Sequence, residues 1–214
     1  MEWADGSAFN EGGMPRLWMH GTNVTEPFNV FTRWEDFSVG FHFGGPEAAN
    51  DRAQNIHDEI LGEDFDGVII PVFCRATNPL RIPDLYTWEQ HRVASALIDA
   101  GVIDEGEAEF LEESASAEMI FAILEEAGYD SLVYGNLCEH KEEVTDSICV
   151  WRAELLKSPF ASSFDRDDPR LMPQLPTDER DMEMWRAMSG SIEAEKEALR
   201  EFRAGRAAGI TASG

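Results

Sequence analysis

The sequence is poor in positive charge. Its 214 residues include 17 lysines and arginines against 42 aspartates and glutamates, for a formal net charge of −25 at pH 7, and only three of the cations are lysines. A large footprint on nucleic-acid phosphates requires a basic face, and so does attraction to an anionic membrane. We therefore expect no direct binding to nucleic acid and no membrane partner. A soluble, self-repelling surface is the simplest interpretation, and a basic partner, a salty environment or mimicry of nucleic acid are alternatives.

Cysteines and long apolar runs are also scarce. Cys74, Cys138 and Cys149 are too few and too irregularly spaced for a disulfide framework. Because Cys74 and Cys149 lie inside strand-like runs, we expect both to be small buried hydrophobic residues. No apolar run is long enough to span a bilayer, and the acidic residues 1–5 lack the apolar segment of a signal peptide. The expected location is the cytoplasm.

Several motifs that mark well-known enzyme sites are missing. There is no G-x-G-x-x-G fingerprint, no Walker loop, no G-x-S-x-G elbow and no C-x-x-C pair. These absences argue against a Rossmann dinucleotide site, a phosphate-binding P-loop and an α/β-hydrolase nucleophile. His42, Cys138, His140 and Cys149 follow none of the usual spacings of zinc ligands, so we expect no metal.

Residues 16–22, with the sequence RLWMHGT, form an apolar run that ends at a histidine, a glycine and a hydroxyl residue. An apolar run closed by a turn signal predicts a buried strand, with His20 at its end, where polar groups can meet a ligand. Gly21 has no Cβ, so the backbone there can approach a ligand closely. A structural histidine with satisfied hydrogen bonds is the alternative at such a position.

A second strand is predicted over residues 38–45, and a helix follows from residue 46 to about residue 61. Successive side chains of a strand point to opposite faces, so Phe41, His42 and Phe43 present a ring to each face in turn. At least one of these rings can stack on a planar heterocycle. Core aromatic residues and a surface histidine are an equally consistent alternative.

The remaining pattern predicts an α+β protein with one principal domain at residues 16–174. Residues 1–15 are expected to be a flexible lead-in, and residues 175–214 an amphipathic helix with a frayed tail. Residues 23–36 are expected to form a packed loop over the site, and residues 158–176 an irregular wrap. Further strands are expected at 68–74, 80–82, 131–134 and 147–151, and helices at 85–100, 104–112, 116–127 and 177–203. Pro71 suggests that its strand has an edge or a bulge.

Taken in order, these blocks resemble the ADP-ribosyltransferase fold, in particular the divergent transferases of phage, prophage and polyvalent mobile-element proteins. The resemblance covers about residues 16 to 174, and the order and spacing of the motifs carry it. The matching blocks are H-G-T at 20–22, G-F-H-F-G at 40–44 with E-A-A at 47–49 and Arg52 behind it, N-P-L at 78–80 with Asp84, G-Y-D at 128–130, Val133 and Tyr134 with Asn136, Glu139, S-I-C-V-W at 147–151, L-K-S at 156–158 and F-D-R-D-D-P at 164–169.

The resemblance implies split mixed and antiparallel sheets with flanking helices, and NAD bound as a substrate in a cleft between two small sheets. His20 would then hydrogen-bond the adenine-side ribose, with Gly21 allowing close approach and Thr22 supporting the turn. The strand with Phe41, His42 and Phe43 would supply the nicotinamide-side wall. His42 stands where relatives often have tyrosine, which makes the position protonatable. Further residues implied at the NAD site are Arg52, Tyr134 and Asn136.

The resemblance also implies a carboxylate that holds the 2′-hydroxyl of the nicotinamide ribose. Its negative charge would stabilise the oxocarbenium-like transition state as nicotinamide leaves. The spacing of Asn136 and an acid three residues later points to Glu139. In many relatives the acid stands at the head of the last core strand, which makes Asp146 the second candidate and Ser147 a neutral replacement. A solvated loop carboxylate is the alternative role of Glu139.

The function implied is that of a mono-ADP-ribosyltransferase, which moves ADP-ribose from NAD to a macromolecule, most simply a protein, and releases nicotinamide. Such a protein would act as an effector or counter-defence factor of a phage or mobile element. The alternative is an inactive binding module of the same fold whose acidic surface blocks a basic, nucleic-acid-binding partner. Hydrolysis of NAD without a protein target is a third option that differs only in the acceptor.

Overall fold

The computed structural model describes residues 2–22, 24, 28–32, 39–60, 67–114, 116–138 and 144–212. Within these residues the chain forms nine strands in three sheets and five α-helices. The strands are β1 (Asn10–Glu11), β2 (Met14–Pro15), β3 (Leu17–Thr22), β4 (Phe41–Phe43), β5 (Val68–Cys74), β6 (Pro79–Arg81), β7 (Ser131–Asn136), β8 (Thr145–Val150) and β9 (Leu156–Lys157). The helices are α1 (Pro46–Ile60), α2 (Gln90–Asp99), α3 (Glu105–Ser114), α4 (Ala117–Glu126) and α5 (Glu179–Ala212).

The two larger sheets are separate but touch at one point. The three-stranded sheet has the order β3-β5-β9 and is antiparallel, whereas the four-stranded sheet has the order β4-β8-β7-β6 and is mixed, because β6 and β7 are parallel. Met19 of β3 exchanges two backbone hydrogen bonds with Gly44, which follows β4, at 3.0 and 2.9 Å. The architecture is therefore α+β with a C-terminal helix, as predicted.

Pro71 was predicted to mark an edge or a bulge, but β5 is the central strand of its sheet, and at Pro71 it is paired on one side. Pro71 pairs with Met19 of β3 on one side, while β9 pairs with β5 only at Phe73 and Cys74. The missing N–H of proline therefore removes no hydrogen bond to β9. Cys74 is buried as expected, and burial raises the pKa of its thiol to about 12.

Helix α4 lies at the centre of the molecule. Its residues Met119 to Leu124 are almost completely buried, which fits a helix that is apolar all round. Ser116 caps it by accepting a hydrogen bond from the backbone N–H of Met119 at 3.1 Å. Phe121 stacks on Trp151, just beyond β8, with ring centroids 5.3 Å apart. This helix therefore ties the four-stranded sheet to the helices outside it.

Helix α5 packs along α4, and it is longer than predicted. Met188, Ile192 and Leu199 form its buried face. The tail predicted to fray from residue 204 is instead helical up to Ala212. Two arginines near this end form ion pairs. Arg203 lies 2.6 Å from Glu107 of α3, and Arg206 lies 2.8 Å from Asp104, which precedes α3. These ion pairs link the last turns of α5 to the region of α3. Among the described helices none has the length and apolar character needed to cross a membrane.

The first fifteen residues also differ from the flexible lead-in that was predicted. Trp3 is only 4% exposed, and the Ser7 hydroxyl donates a hydrogen bond to the carbonyl of Cys74 at 2.9 Å. Strands β1 and β2 form a short hairpin whose turn contains Gly12 and Gly13, both with positive φ. The glycines of this segment thus serve tight turns, and the aromatic ring anchors it to the body.

Glu125, at the end of α4, binds three neighbouring cationic or polar groups at once. Its carboxylate accepts hydrogen bonds from Arg152 at 2.6 and 2.8 Å and from the Trp151 indole at 2.8 Å, and Lys196 of α5 lies 2.6 Å away. Burial alone would raise the pKa of Glu125, but the hydrogen bonds from Arg152 and Lys196 outweigh it and lower the pKa.

Replacing Glu125 with glutamine should destabilise the fold by about 2 kcal/mol, because Arg152 and Lys196 lose their more buried counter-charge and keep only their pairs with the 60% exposed Glu193. The measurement is urea unfolding of both proteins at neutral pH. Glu179→Gln is the matched control, since Glu179 and its partner Arg186 are both more than half exposed, and such pairs contribute less than about 1 kcal/mol. Equal losses in the two variants would show that the Glu125 network does not hold α5 in place.

Candidate functional site

A cleft of about 270 Å³ is lined by residues of both larger sheets and of the amino-terminal hairpin. Four of its lining residues carry charge, in two pairs of opposite sign, and two are aromatic. These six residues are Phe9, Glu11, Arg16, Trp18, Arg81 and Asp146. The cleft therefore offers two guanidinium groups, two carboxylates and the half-buried Phe9 ring within one small space.

Arg81 and Asp146 form the wall contributed by the four-stranded sheet. Arg81 pairs with Val133 of β7 and Asp146 pairs with Gly135 of the same strand, so the two side chains share one face of the sheet. The guanidinium donates two hydrogen bonds to the carboxylate, at 2.9 and 2.6 Å. These bonds lower the pKa of Asp146, which is ionised at neutral pH. The pair is open to solvent, with the two side chains 63% and 40% exposed.

Arg16 and Trp18 form the opposite wall. The Arg16 guanidinium lies 4.1 Å from the centroid of the Trp18 ring, a cation–π distance, and 3.4 Å from the carboxylate of Glu11. Phe9 meets the Trp18 ring edge-on at 5.3 Å. The indole N–H of Trp18 is buried and makes no hydrogen bond to the described part of the chain. Because Trp18 is only 1% exposed, this wall presents the Arg16 guanidinium to the cleft, with the indole ring packed beneath it.

His20 lies two residues beyond Trp18 on the same face of β3 and is not among the residues that line the cleft. Its ring sits between Phe31 and Phe43, at 5.2 and 5.4 Å, and its Nδ1–H donates a hydrogen bond to the carbonyl of His42 at 2.8 Å. Burial lowers the pKa of His20, so the ring is neutral at pH 7. With its proton on Nδ1, the neutral ring has a lone pair on Nε2, which can accept a hydrogen bond from a hydroxyl group.

His42 is a structural residue, which corrects the prediction that it forms a nicotinamide-side wall. Its Nε2–H donates to the carbonyl of Val39 and its Nδ1 accepts from the hydroxyl of Tyr134, both at 3.0 Å. The ring also packs on Trp88, with centroids 4.4 Å apart. Because both ring nitrogens are used inside the fold, neither is available to a ligand. Burial lowers the pKa of His42 to about 3, so the position is not charged at neutral pH.

This burial predicts a loss of stability in mild acid. Between pH 3 and 6.5 the unfolded chain protonates His42 while the folded chain does not, so the free energy of unfolding decreases as the pH falls below about 6.5. From pH 7 to pH 5 the contribution of His42 is about 2 kcal/mol.

The measurement is urea unfolding at both pH values for wild type, His42→Gln and His91→Gln. Glutamine at position 42 removes the titration, so His42→Gln should lose about 2 kcal/mol less than wild type on acidification. His91 is the matched control because its side chain is 62% exposed. An unchanged pH dependence in His42→Gln would contradict a buried, neutral ring.

Phe41 and Phe43 lie on the other face of β4 from His42, as the alternation predicts, but they are buried. Phe31 covers both, with ring centroids 5.2 and 5.3 Å away. The loop that carries Phe31 is held by Val30, which bridges to Arg170. The predicted packed loop is thus confirmed for residues 28–32. It covers the wall that was expected to meet nicotinamide, so in this structure Phe41 and Phe43 are core residues.

Gly21, Thr22 and Arg52 were also predicted at the NAD site, and the structure shows what surrounds each of them. A Cβ on Gly21 would lie 2.0 Å from the carbonyl oxygen of Ala49, so this glycine is needed for close packing of α1 on β3. That contact corrects the expectation that Gly21 makes room for a ligand. The hydroxyl of Thr22 accepts a hydrogen bond from the N–H of Val24 at 3.2 Å and supports the turn, as predicted. Arg52 is exposed on α1, and its charge lowers the pKa of His20.

The remaining NAD-site candidates lie on β7 and β8. Tyr134 is buried and bonded to His42, whereas Asn136 is buried and donates a hydrogen bond to the Ser147 hydroxyl at 3.0 Å. Ser147 is itself only 1% exposed, which disfavours it as a replacement for the acid. Glu139, the first candidate for the acid, lies outside the described residues. Asp146 is the candidate acid that lines the cleft.

Of the six cleft residues named above, only Asp146 was predicted as a site residue from the sequence; the other five are Phe9, Glu11, Arg16, Trp18 and Arg81. Arg81 had a usable signal, since it stands between Leu80 and Ile82 in a strand-like triplet and therefore points to the face opposite these two apolar neighbours.

Comparisons with known proteins leave the family open. No protein-family model matches the chain, and neither a curated protein nor a solved structure is significantly similar to it.

Proposed function

We propose that this protein is an NAD-dependent mono-ADP-ribosyltransferase of the ADP-ribosyltransferase fold, with NAD bound as a substrate in the cleft between its two larger sheets. The observation that carries the proposal is the position of Asp146. It stands near the head of β8 with its carboxylate on the cleft wall, opposite Arg16 and the start of β3.

Other groups in the cleft, and His20 two residues beyond its lining residue Trp18 on β3, suit the parts of a dinucleotide. Arg16 and Arg81 can bind a diphosphate, because a guanidinium matches phosphate oxygens in geometry and charge. The half-buried Phe9 ring offers an apolar surface for a planar base or a ribose. Trp18 is only 1% exposed and lies beneath the Arg16 guanidinium, so it supports that cation and does not contact a ligand. In its neutral tautomer, His20 has an acceptor on Nε2 for a ribose hydroxyl.

The proposed reaction breaks the bond between C1′ of the nicotinamide ribose and the pyridinium nitrogen. The bonding electrons leave with neutral nicotinamide, positive charge develops on the ribose, and a nucleophile of the target protein attacks C1′ and releases its proton. A carboxylate at the 2′-hydroxyl stabilises that positive charge in the transition state. We assign this role to Asp146, with Glu139 as the alternative acid.

The test is incubation of the purified protein with NAD carrying a label on its adenylate part, with and without cell lysate. We expect nicotinamide release and covalent attachment of label to a protein. Replacing His20 with alanine should greatly reduce both, whereas His91→Gln, at an exposed histidine on α2, should leave them unchanged. Free ADP-ribose as the sole product would indicate hydrolysis, and no release of nicotinamide under any condition would refute the proposal.

One observation favours a second function, that of a binding module without chemistry. Several polar groups that the resemblance implies at the NAD site already pair inside the fold, such as His42 with Tyr134 and Asn136 with Ser147. Under this alternative the strongly acidic chain binds a basic, nucleic-acid-binding partner. A pull-down whose yield is independent of NAD and unaffected by His20→Ala would support the binding module, and loss of the partner in that variant would count against it.

A further inference from the structure

The carboxylate assigned to catalysis is neutralised by Arg81 in the free protein. Both oxygens of Asp146 accept hydrogen bonds from one guanidinium. A carboxylate in this state is poorly suited to stabilise positive charge on a ribose, because the adjacent cation cancels its field. Either the pair is permanent and Asp146 is inert, or something in the reaction cycle separates the two side chains.

The Arg81–Asp146 ion pair can separate at little cost in free energy, because both side chains are open to solvent. Both side chains are substantially exposed, at 63% for Arg81 and 40% for Asp146. Pairs this open to water contribute little to stability, so exchanging one partner for another requires little free energy. A guanidinium that binds a carboxylate through two donors can bind a phosphate group in the same two-donor geometry.

The cleft contains a second cation, Arg16, near the Arg81–Asp146 pair. Arg16 lines the cleft with Arg81, and its charge helps to lower the pKa of Asp146. Its contact with Glu11, at 3.4 Å, is longer than the hydrogen bonds in the Arg81 pair. Two guanidinium groups in one cleft are notable in a chain with only 17 lysines and arginines and a net charge of −25. Together they can offset the two charges of a diphosphate.

We propose that Arg81 is a positioning residue that exchanges partners when substrate binds, moving from Asp146 to the diphosphate of the nucleotide. Arg16 assists on the other side of the cleft. The exchange releases the Asp146 carboxylate for the ribose hydroxyl, so the acid becomes active only when a diphosphate is present. This inference rests on the proposed function for the identity of the substrate, but the exchange itself can be tested with a ligand that undergoes no reaction.

If Arg81 exchanges partners in this way, replacing Asp146 should affect ligand binding and catalysis in opposite directions. In the free protein Asp146 competes with phosphate for Arg81, and its negative charge also repels the ligand. Asp146→Asn should therefore tighten the binding of a nucleoside diphosphate, although the same change removes the catalytic acid. A residue that merely supported the shape of the cleft would weaken binding when replaced.

The test is isothermal titration of the full chain with ADP, which carries the diphosphate but lacks the nicotinamide bond. We expect Asp146→Asn to tighten ADP binding about fivefold and Arg81→Gln to weaken it about tenfold. Arg186→Gln is the matched control, because Arg186 forms an equally open pair with Glu179 on α5 and does not line the cleft. Thermal unfolding of all three variants should stay close to that of wild type.

The outcomes separate this inference from the proposed function. Unchanged or weaker ADP binding by Asp146→Asn, or unchanged binding by Arg81→Gln, would overturn the exchange even if NAD is cleaved. Conversely, the expected ADP pattern without any nicotinamide release would support the exchange and refute the transferase.

Discussion

Asparagine in place of Asp146 is expected to lower the rate of nicotinamide release by a factor of about 10² to 10³, the usual effect of removing one electrostatic contact to a transition state. The side chain keeps its size and its place near the head of β8, but it loses the charge that faces the developing positive charge on the ribose. The measurement is nicotinamide release at saturating NAD, so that a change in affinity does not enter the rate.

The matching variant is Glu139→Gln, which tests the alternative acid. A large loss in Asp146→Asn together with near wild-type turnover in Glu139→Gln would support the assignment to Asp146. The reverse pattern would transfer the catalytic role to Glu139. Full turnover in both variants would contradict a catalytic carboxylate at either position.

The largest structural effect is expected from Gly21→Ala. The added Cβ would lie 2.0 Å from the carbonyl oxygen of Ala49 and 2.9 Å from the backbone nitrogen of Ala53, and backbone atoms of α1 cannot move aside as a side chain can. Helix α1 would have to shift away from β3. We expect the free energy of unfolding to fall by about 3 kcal/mol or more, the upper end for overpacked sites. Urea unfolding followed by circular dichroism measures it.

Gly190→Ala is the control for this variant. Gly190 lies inside α5, and a Cβ there would meet nothing within 4 Å. Alanine in a helix interior is favoured over glycine by about 1 kcal/mol. The two glycine substitutions should therefore change stability in opposite directions. A Gly21→Ala protein as stable as wild type would show that α1 does not pack on β3 as closely as described.

The elements with a strong periodic or apolar signal could be predicted from the sequence. The run Val68–Cys74 forms β5, and the apolar segment Ala117–Glu126 forms α4. Helix α4 is buried, whereas Val68 and Ile69 of β5 are more than a third exposed. Element ends were less predictable. Helix α2 begins at Gln90 and not near residue 85, since Asp84 accepts a hydrogen bond from the N–H of Tyr86, whose φ is 60°. That turn is incompatible with a helix.

The site was harder to predict because its contacts join residues far apart in the chain. The alternation in β4 gave the correct opposite faces for His42 and its phenylalanine neighbours, but it could not tell which face would be covered. Trp88 covers His42, and Phe31 covers Phe43. These contacts decide that the three rings are core residues, and they depend on packing that no local pattern encodes.

The central claim is that NAD lies in the cleft between the two sheets. The most direct measurement is a crystal structure of the Asp146→Asn protein with NAD, since this variant should bind the substrate without consuming it. We expect a dinucleotide between Arg16 and residue 146, with Arg81 turned to its diphosphate. A dinucleotide bound elsewhere, or a cleft still empty at saturating NAD, would contradict the account.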